Sequence, residues 1–431
     1  MAPKKLSFLK GAIVLVCACC LSLTGCYDAK EIDQEVFTLV IGVDKGTGNM
    51  IRVTFQVSTY KEDGGNGGGS QNGGSAADTG ELDGTVISTV EAPSLIESIN
   101  MLNSASNRQI SLSQTKMIIF SEEYAREGVG RYIEPLTRFR EVGELMRVLV
   151  CRGRAEDYIL ENRSFIGGSL PKDIELSFLQ SANTGYYPDV FLNEFYVRLL
   201  SPYAQAIAIY TAINDFDSLP EDGMEKGIIE PHPDLKPGEI PRKGGNKREM
   251  LGTVVFSGDK MVGYLNQNET RFYLLATGKY KRGLFTLDDP KSAGDFIVLE
   301  VTAHGAPKVT TFLENEIPYI YLEMLLDIDI AAIQNRENYF LNPSAYLELE
   351  KYIETYFVRG MEEVIRKTQQ EWNSDIFEFG KKIAGNFWTI PQFEEYNWLE
   401  RYREAKIDVK VKANISRAGY YFHPRPIEPE K

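Results

Sequence analysis

Apart from its first 26 residues, this 431-residue chain has a single cysteine, Cys151. No internal disulfide can form from one thiol, so the body must be held together by core burial alone. The other four cysteines belong to a distinctive N-terminus. Lys4, Lys5 and Lys10 give a short positive segment, and Gly11 to Leu21 then runs without a charge. That run is too short to span a bilayer comfortably and reads as the apolar core of a signal peptide. It ends in Leu23-Thr24-Gly25-Cys26.

Small residues just before a cysteine, directly after the apolar run, resemble a bacterial lipobox. In signals of that type the cysteine thiol receives a diacylglyceryl group, and cleavage makes Cys26 the new first residue. An ordinary secretory signal cut nearby and an uncleaved anchor are the plainer readings. Charge, apolar run, small residues and cysteine nevertheless all occur here in the lipobox order. Two acyl chains suffice to hold a protein stably on a membrane.

Loss of residues 1–25 removes three lysines and no acids, so the formal net charge moves from −14 to −17. The 406 residues that remain are enough to bury a self-sufficient core. An acidic body without a basic cluster is a poor partner for nucleic acid. Tyr27 to Asp33 is short and charged, with no long tether, so the folded body is expected directly after it.

Val36 to Asp44 is apolar and β-branched, and Ile51 to Ser58 alternates strictly. With Gly46, Gly48 and Asn49 between them, they predict a β-hairpin. Residues 64–80 are a Gly-rich, low-complexity loop with almost nothing apolar to bury, and are expected to be flexible. Leu95, Ile96, Ile99 and Leu102 predict a helix; Lys116 to Phe120 predict a strand, followed by a helix capped by Ser121. Glu144 to Cys151 reads as a strand, which would bury the Cys151 thiol, and Ala155 to Leu160 reads as a short helix. Ser201 to Asn214 reads as a helix and Asp215 to Lys247 as a loop.

Leu251–Phe256 and Met261–Leu265 flank a Ser-Gly-Asp-Lys turn and predict a second hairpin. Strands follow at 296–302, 309–313 and within 319–330. From Pro343 the apolar residues, Tyr352 through Phe379, recur every three to four positions and predict one long amphipathic helix. Lys406 to Ile415 alternates perfectly, with lysines suited to a sheet edge. The expectation is therefore an α+β protein, of two or three domains by its length, with mixed sheets and packed helices. A signal peptide (1–25) precedes an N-terminal domain (26–200), a middle domain and linker (201–265), a C-terminal domain (266–419) and a loose tail (420–431).

Motifs for chemistry are missing. There is no Gly-x-Ser-x-Gly elbow, phosphate loop, His-Glu-x-x-His or Cys-x-x-Cys outside the leader. His232, His304 and His423 fall in loop, turn and tail contexts. No catalytic residue, metal site or cofactor is assigned.

Several segments together resemble one family. Leu23 to Ile32 followed by Ile41-Gly42-Val43-Asp44 is similar to the start of the Ger(x)C, or GerAC-like, lipoproteins. Tyr27 stands where that family usually has Trp, and Ala29 where it has a basic residue. Lys116 to Gly128 resembles a second segment, although Gln114-Thr115 replace the usual His-Leu. Gly252 to Phe256, Gly258-Asp259-Lys260 and Gly263-Tyr264-Leu265-Asn266 resemble a third. Asp375 to Gly380, Trp398, Val409-Lys410-Val411 and Gly419 resemble a fourth.

The resemblance is collinear over nearly the whole chain after the leader. It implies three α+β domains without catalytic activity, and a C subunit of a spore germinant receptor. It also implies association with an A subunit and a transporter-like B subunit in the spore inner membrane, where nutrients trigger germination. Only the lipidation residue, Cys26, carries over; ligand-binding residues stay unknown. The alternative is a lipid-anchored solute-binding protein of a transporter, which calls for two lobes of strand–helix repeats around a cleft. An exported hydrolase is the third class.

Overall fold

In the computed structural model, the described residues are 13, 32–58, 81–82, 84–139, 141–143, 145–165, 169–216, 234–334, 339–340 and 342–417. Cys26, the rest of the lipobox, the whole Gly-rich stretch 64–80, His232, His423 and the tail 420–431 lie outside them.

The first sheet holds β1 (Glu35–Lys45), β2 (Ile51–Ser58), β3 (Glu81–Leu82), β4 (Thr85–Ala92) and β5 (Gln109–Ser111). It continues with β6 (Met117–Ser121), β7 (Arg147–Cys151), β8 (Ile207–Ile213), β9 (Arg248–Ser257) and β10 (Lys260–Leu265). Its order is β10-β9-β8-β7-β6-β1-β2-β4-β3, with β5 alongside β1. The central strands β1, β6, β7 and β8 run parallel, and the flanks are antiparallel. Helices lie between the parallel strands: α1 (Leu95–Ala105), α2 (Glu122–Glu127), α3 (Gly130–Arg138), α4 (Ala155–Leu160), α5 (Leu170–Leu179), α6 (Ser181–Thr184) and α7 (Leu192–Leu199). Parallel neighbours need such crossovers, and the strands they cover are apolar on both faces, as in Val148-Leu149-Val150.

Helix α8 (Gln267–Ala276) leads into the second sheet, β11 (Arg282–Asp289), β12 (Ser292–Ala303), β13 (Lys308–Glu314), β14 (Ile317–Ile333) and β15 (Lys406–Arg417). Here β14 is the spine, pairing β12 and β13 on one side and β15, in parallel, on the other. Helix α9 (Pro343–Lys367) covers one face, burying Leu349, Ile353, Phe357, Met361 and Val364. A π turn, Thr368–Trp372, ends it, followed by α10 (Phe379–Ile383), α11 (Ile390–Tyr396) and α12 (Trp398–Arg401). One apolar cluster runs unbroken from Val36 to Ile415, so the two sheets share a core.

The chain is α+β, with two sheets and multiple helices. Both predicted hairpins form, and β15 is an edge strand. The stretch 201–265, expected as a middle domain, gives β8, β9 and β10 to the first sheet.

Three local readings are corrected. Residues 207–213, expected to be helical, form β8, because a central strand buried on both faces loses the alternation that marks a strand. Ser121 precedes α2, but its side chain makes no capping hydrogen bond. The long helix ends at the π turn, so Ile376 and Phe379 belong to the turn and short helix beyond it.

Candidate functional site

Where the two sheets meet, a short loop between the π turn and α10 folds around Asp375. Its carboxylate is completely buried. Oδ1 accepts the backbone N–H of Phe377 (3.0 Å) and Phe379 (3.3 Å). Oδ2 accepts the N–H of Gly380 (2.9 Å) and the Trp398 indole N–H (2.9 Å). Burial pushes the Asp375 pKa up to about 6, against these four donors, which favour the ionised form. The carboxylate thus organises a turn that has too few carbonyl partners of its own.

This turn is fastened to the first sheet. The Gln205 N–H donates to the Asp375 carbonyl at 2.8 Å, and the Ser374 hydroxyl donates to the Phe256 carbonyl at 2.7 Å. Gln205 Oε1 accepts the Gly258 N–H. Arg198, buried at the end of α7, donates Nη1 to the carbonyls of Gln205 and Ile376 and pairs through Nη2 with Glu378 and Glu194. Burial opposes its charge, but Tyr273, Glu378, Glu194 and Asp375 outweigh it and hold the guanidinium above its ordinary value.

Aromatic rings on glycines complete the joint. A Cβ on Gly263 of β10 would collide with the Trp372 indole, one on Gly360 of α9 with the Phe272 ring, and one on Gly380 with Trp398. In each pair a ring from one segment fills the space a side chain would take on the other. Lys367 pairs with Glu269 at 2.8 Å and lies over the rings of Tyr264 and Trp372. Glu269 is itself part of the capping box that Asn266 makes at the start of α8.

The remaining resemblance segments have similar duties. A Cβ on Gly42 would lie 2.7 Å from Ile159 Cδ1, so glycine there lets α4 pack on β1. Asp44 Oδ1 and Oδ2 accept the N–H groups of Ala155 (2.7 Å) and Glu156 (2.9 Å), capping α4 from across the sheet. Gly128, at φ +129°, and Gly130 lie against Asp259 of the β9–β10 turn, whose carbonyl accepts the Val129 N–H. Segments far apart in sequence therefore touch one another.

The sites named from sequence are not brought together. Cys26 and its lipobox lie outside the described residues. Cys151 is buried at the end of β7, and burial pushes its thiol pKa up, which keeps it protonated and unreactive. His304 is exposed at the turn after β12, and its ring Nδ1 pairs with Asp327 at 2.6 Å. Among the described residues no group of three His, Cys, Asp or Glu side chains could hold a metal ion. Sequence reading missed Arg198, Trp372 and Gly360. No local pattern marks Arg198, whose partners Ile376 and Glu378 lie 178 and 180 residues away.

The family model described as "Spore germination protein N-terminal domain" matches residues 28–213, and "Spore germination B3/ GerAC like, C-terminal" matches residues 251–419. The putative spore germination protein YfkR of Bacillus subtilis (strain 168) is 22% identical over 95% of this chain and 97% of its own. Spore germination protein GerQC of Bacillus cereus is 21% identical over 92% of this chain and 96% of its own. A crystal structure of the GerBC protein, 14% identical, aligns with a TM-score of 0.48 over 87% of this chain and 96% of that one. The first matched region spans β1 to β8, the second runs from within β9 through the whole of the second sheet, and the chain belongs to the GerAC-like family of spore germination proteins.

Proposed function

We propose that this protein is the C subunit of a spore germinant receptor, anchored through a diacylglyceryl group on Cys26 to the outer face of the spore inner membrane. It acts there without catalysis or cofactor, beside a membrane A subunit and a transporter-like B subunit, in nutrient-triggered germination. The family match across both halves of the chain, in order, is the observation that carries this reading. The lipobox supplies the anchor, and no helix among the described residues is long and apolar enough to cross a membrane. The short stretch from Cys26 to β1 keeps the body close to the bilayer and raises its effective concentration for membrane partners. With its acidic body, attraction to anionic headgroups gives no help, so lipid and partners must hold it in place.

The test is co-purification. Spore membranes are extracted gently in detergent, and a tagged full chain is captured. Recovery of a multi-pass subunit together with its large companion is the expected result. Recovery of the chain alone with a bound small solute would replace this reading with a solute-binding one.

A further inference from the structure

The parallel registers of the first sheet put Val40, Met117 and Arg147 on one level, and the pairing of Leu149 with Ile209 puts Ile207 there too. Below that level β1 extends five residues further, to Glu35. Only eight residues separate Glu35 from Cys26. Fully extended, that connection reaches about 30 Å. The chain that follows Cys26 therefore enters the fold at the end of the sheet at which the parallel strands begin.

Two exposed apolar side chains lie on the segments that enter the parallel strands at this end. Leu145, two residues before β7, is 72% exposed, and Leu200, between α7 and β8, is 68% exposed. The Asp375 turn docks here through Gln205, and the Tyr203 ring stacks on Phe393 of α11 at 5.0 Å. Just before α11 the chain forms a tip on which Trp388 is 96% exposed and Ile390 62%. The tip is pinned on both sides. Phe387 packs on Phe393 and Tyr396, the Asn386 amide donates to Thr311, and Thr389 and Gln392 form a capping box. A large apolar side chain kept in water forgoes about 1.5–3 kcal/mol of burial, so an indole held out on a braced tip calls for a partner.

We propose that the Trp388–Ile390 tip lies in the headgroup layer of the bilayer, a second membrane contact beside the lipid at Cys26. The inference rests on the anchor proposed above, which fixes the end of the sheet that faces lipid. Indole suits that layer, with an apolar body and one N–H donor for the wet side. Exposed Lys381 and Lys382 near the tip are offset by exposed Glu394 and Glu395 on α11. The contact is therefore apolar and does not need anionic lipid.

The chain from Tyr27 onward keeps every element from Ile32 to Arg417. It is tethered by an N-terminal hexahistidine to phosphatidylcholine vesicles that carry nickel-chelating lipid, with and without brominated phosphatidylcholine. Of the three tryptophans, Trp398 is buried and Trp372 covers Gly263, which leaves Trp388 for the lipid. Brominated lipid is expected to quench the wild-type emission, in low and high salt alike, and not that of Trp388→Phe. Equal quenching of the two proteins would overturn the proposal. So would a Trp388 response that appears only when solubilised spore-membrane proteins are added, which would give the tip to a protein partner. Mass measurement of the full chain from its host reads lipidation of Cys26 separately, so a failed anchor and a failed tip are told apart.

Discussion

Trp398 donates its indole N–H to Asp375 and, in the same pose, lays its ring over Gly380, whose own N–H binds the other side of that carboxylate oxygen. Replacing Asp375 with Ala strands three backbone donors and one indole donor in a site without water access. Each buried donor left unpaired costs about 1–3 kcal/mol, so Asp375→Ala should lower stability by several kcal/mol. Chemical denaturation of the chain measures this, and a loss under 1 kcal/mol would show that the turn does not depend on the carboxylate.

Asp375 also sets a pH dependence. Its folded pKa, about 6, lies above the ordinary 3.8, so between those values the folded state binds more protons than the unfolded one. Stability from this group is full below about pH 4 and falls as pH rises through 6, by roughly 3 kcal/mol for two pKa units. Asp375→Asn cannot titrate. The wild-type stability minus that of the variant should therefore fall from pH 4 to 6.5, and a flat difference would refute the assignment.

Gly360 tests the ring-on-glycine joint. An alanine in mid-helix is worth about 1 kcal/mol over glycine by propensity alone. Here its methyl meets the Phe272 ring, which is itself packed against Tyr356, Phe357 and Phe285, and overpacking of that kind costs about 1–3 kcal/mol. The steric effect wins, and Gly360→Ala should melt at a lower temperature than wild type. Adding Phe272→Leu should recover part of the loss, since the two sites are coupled. A higher melting temperature for the single variant would show that the ring has room to move.

How much of this was legible beforehand follows from where each signal resides. The hairpins at 36–58 and 251–265, helix α9 and strand β15 show local periods of two or 3.6, and these are readable in place. Strand β8 is Ile-Ala-Ile-Tyr-Thr-Ala-Ile, buried along nearly its whole length, and its type is decided by the neighbours β7 and β9, which a local reading does not include. The Asp375–Trp398 turn was visible only as a resembling string. Its reason is tertiary, because Gln205 and Phe256 come from the other sheet. Gly263 and Gly360 carry no signal of their own, since the rings that need them, Trp372 and Phe272, lie 109 and 88 residues away.

The last prediction concerns the anchor. Two acyl chains, at about 0.8 kcal/mol per buried CH₂, outweigh what one exposed indole can add at a bilayer surface. Cys26→Ala should therefore leave an unlipidated precursor, move the chain from the membrane to the soluble fraction and reduce the germination response, even with the Trp388 tip intact. Fractionation of spore lysates and a nutrient-triggered germination assay read the two effects. Full membrane retention with normal germination would mean that partners, and not the lipid, hold this subunit at the membrane.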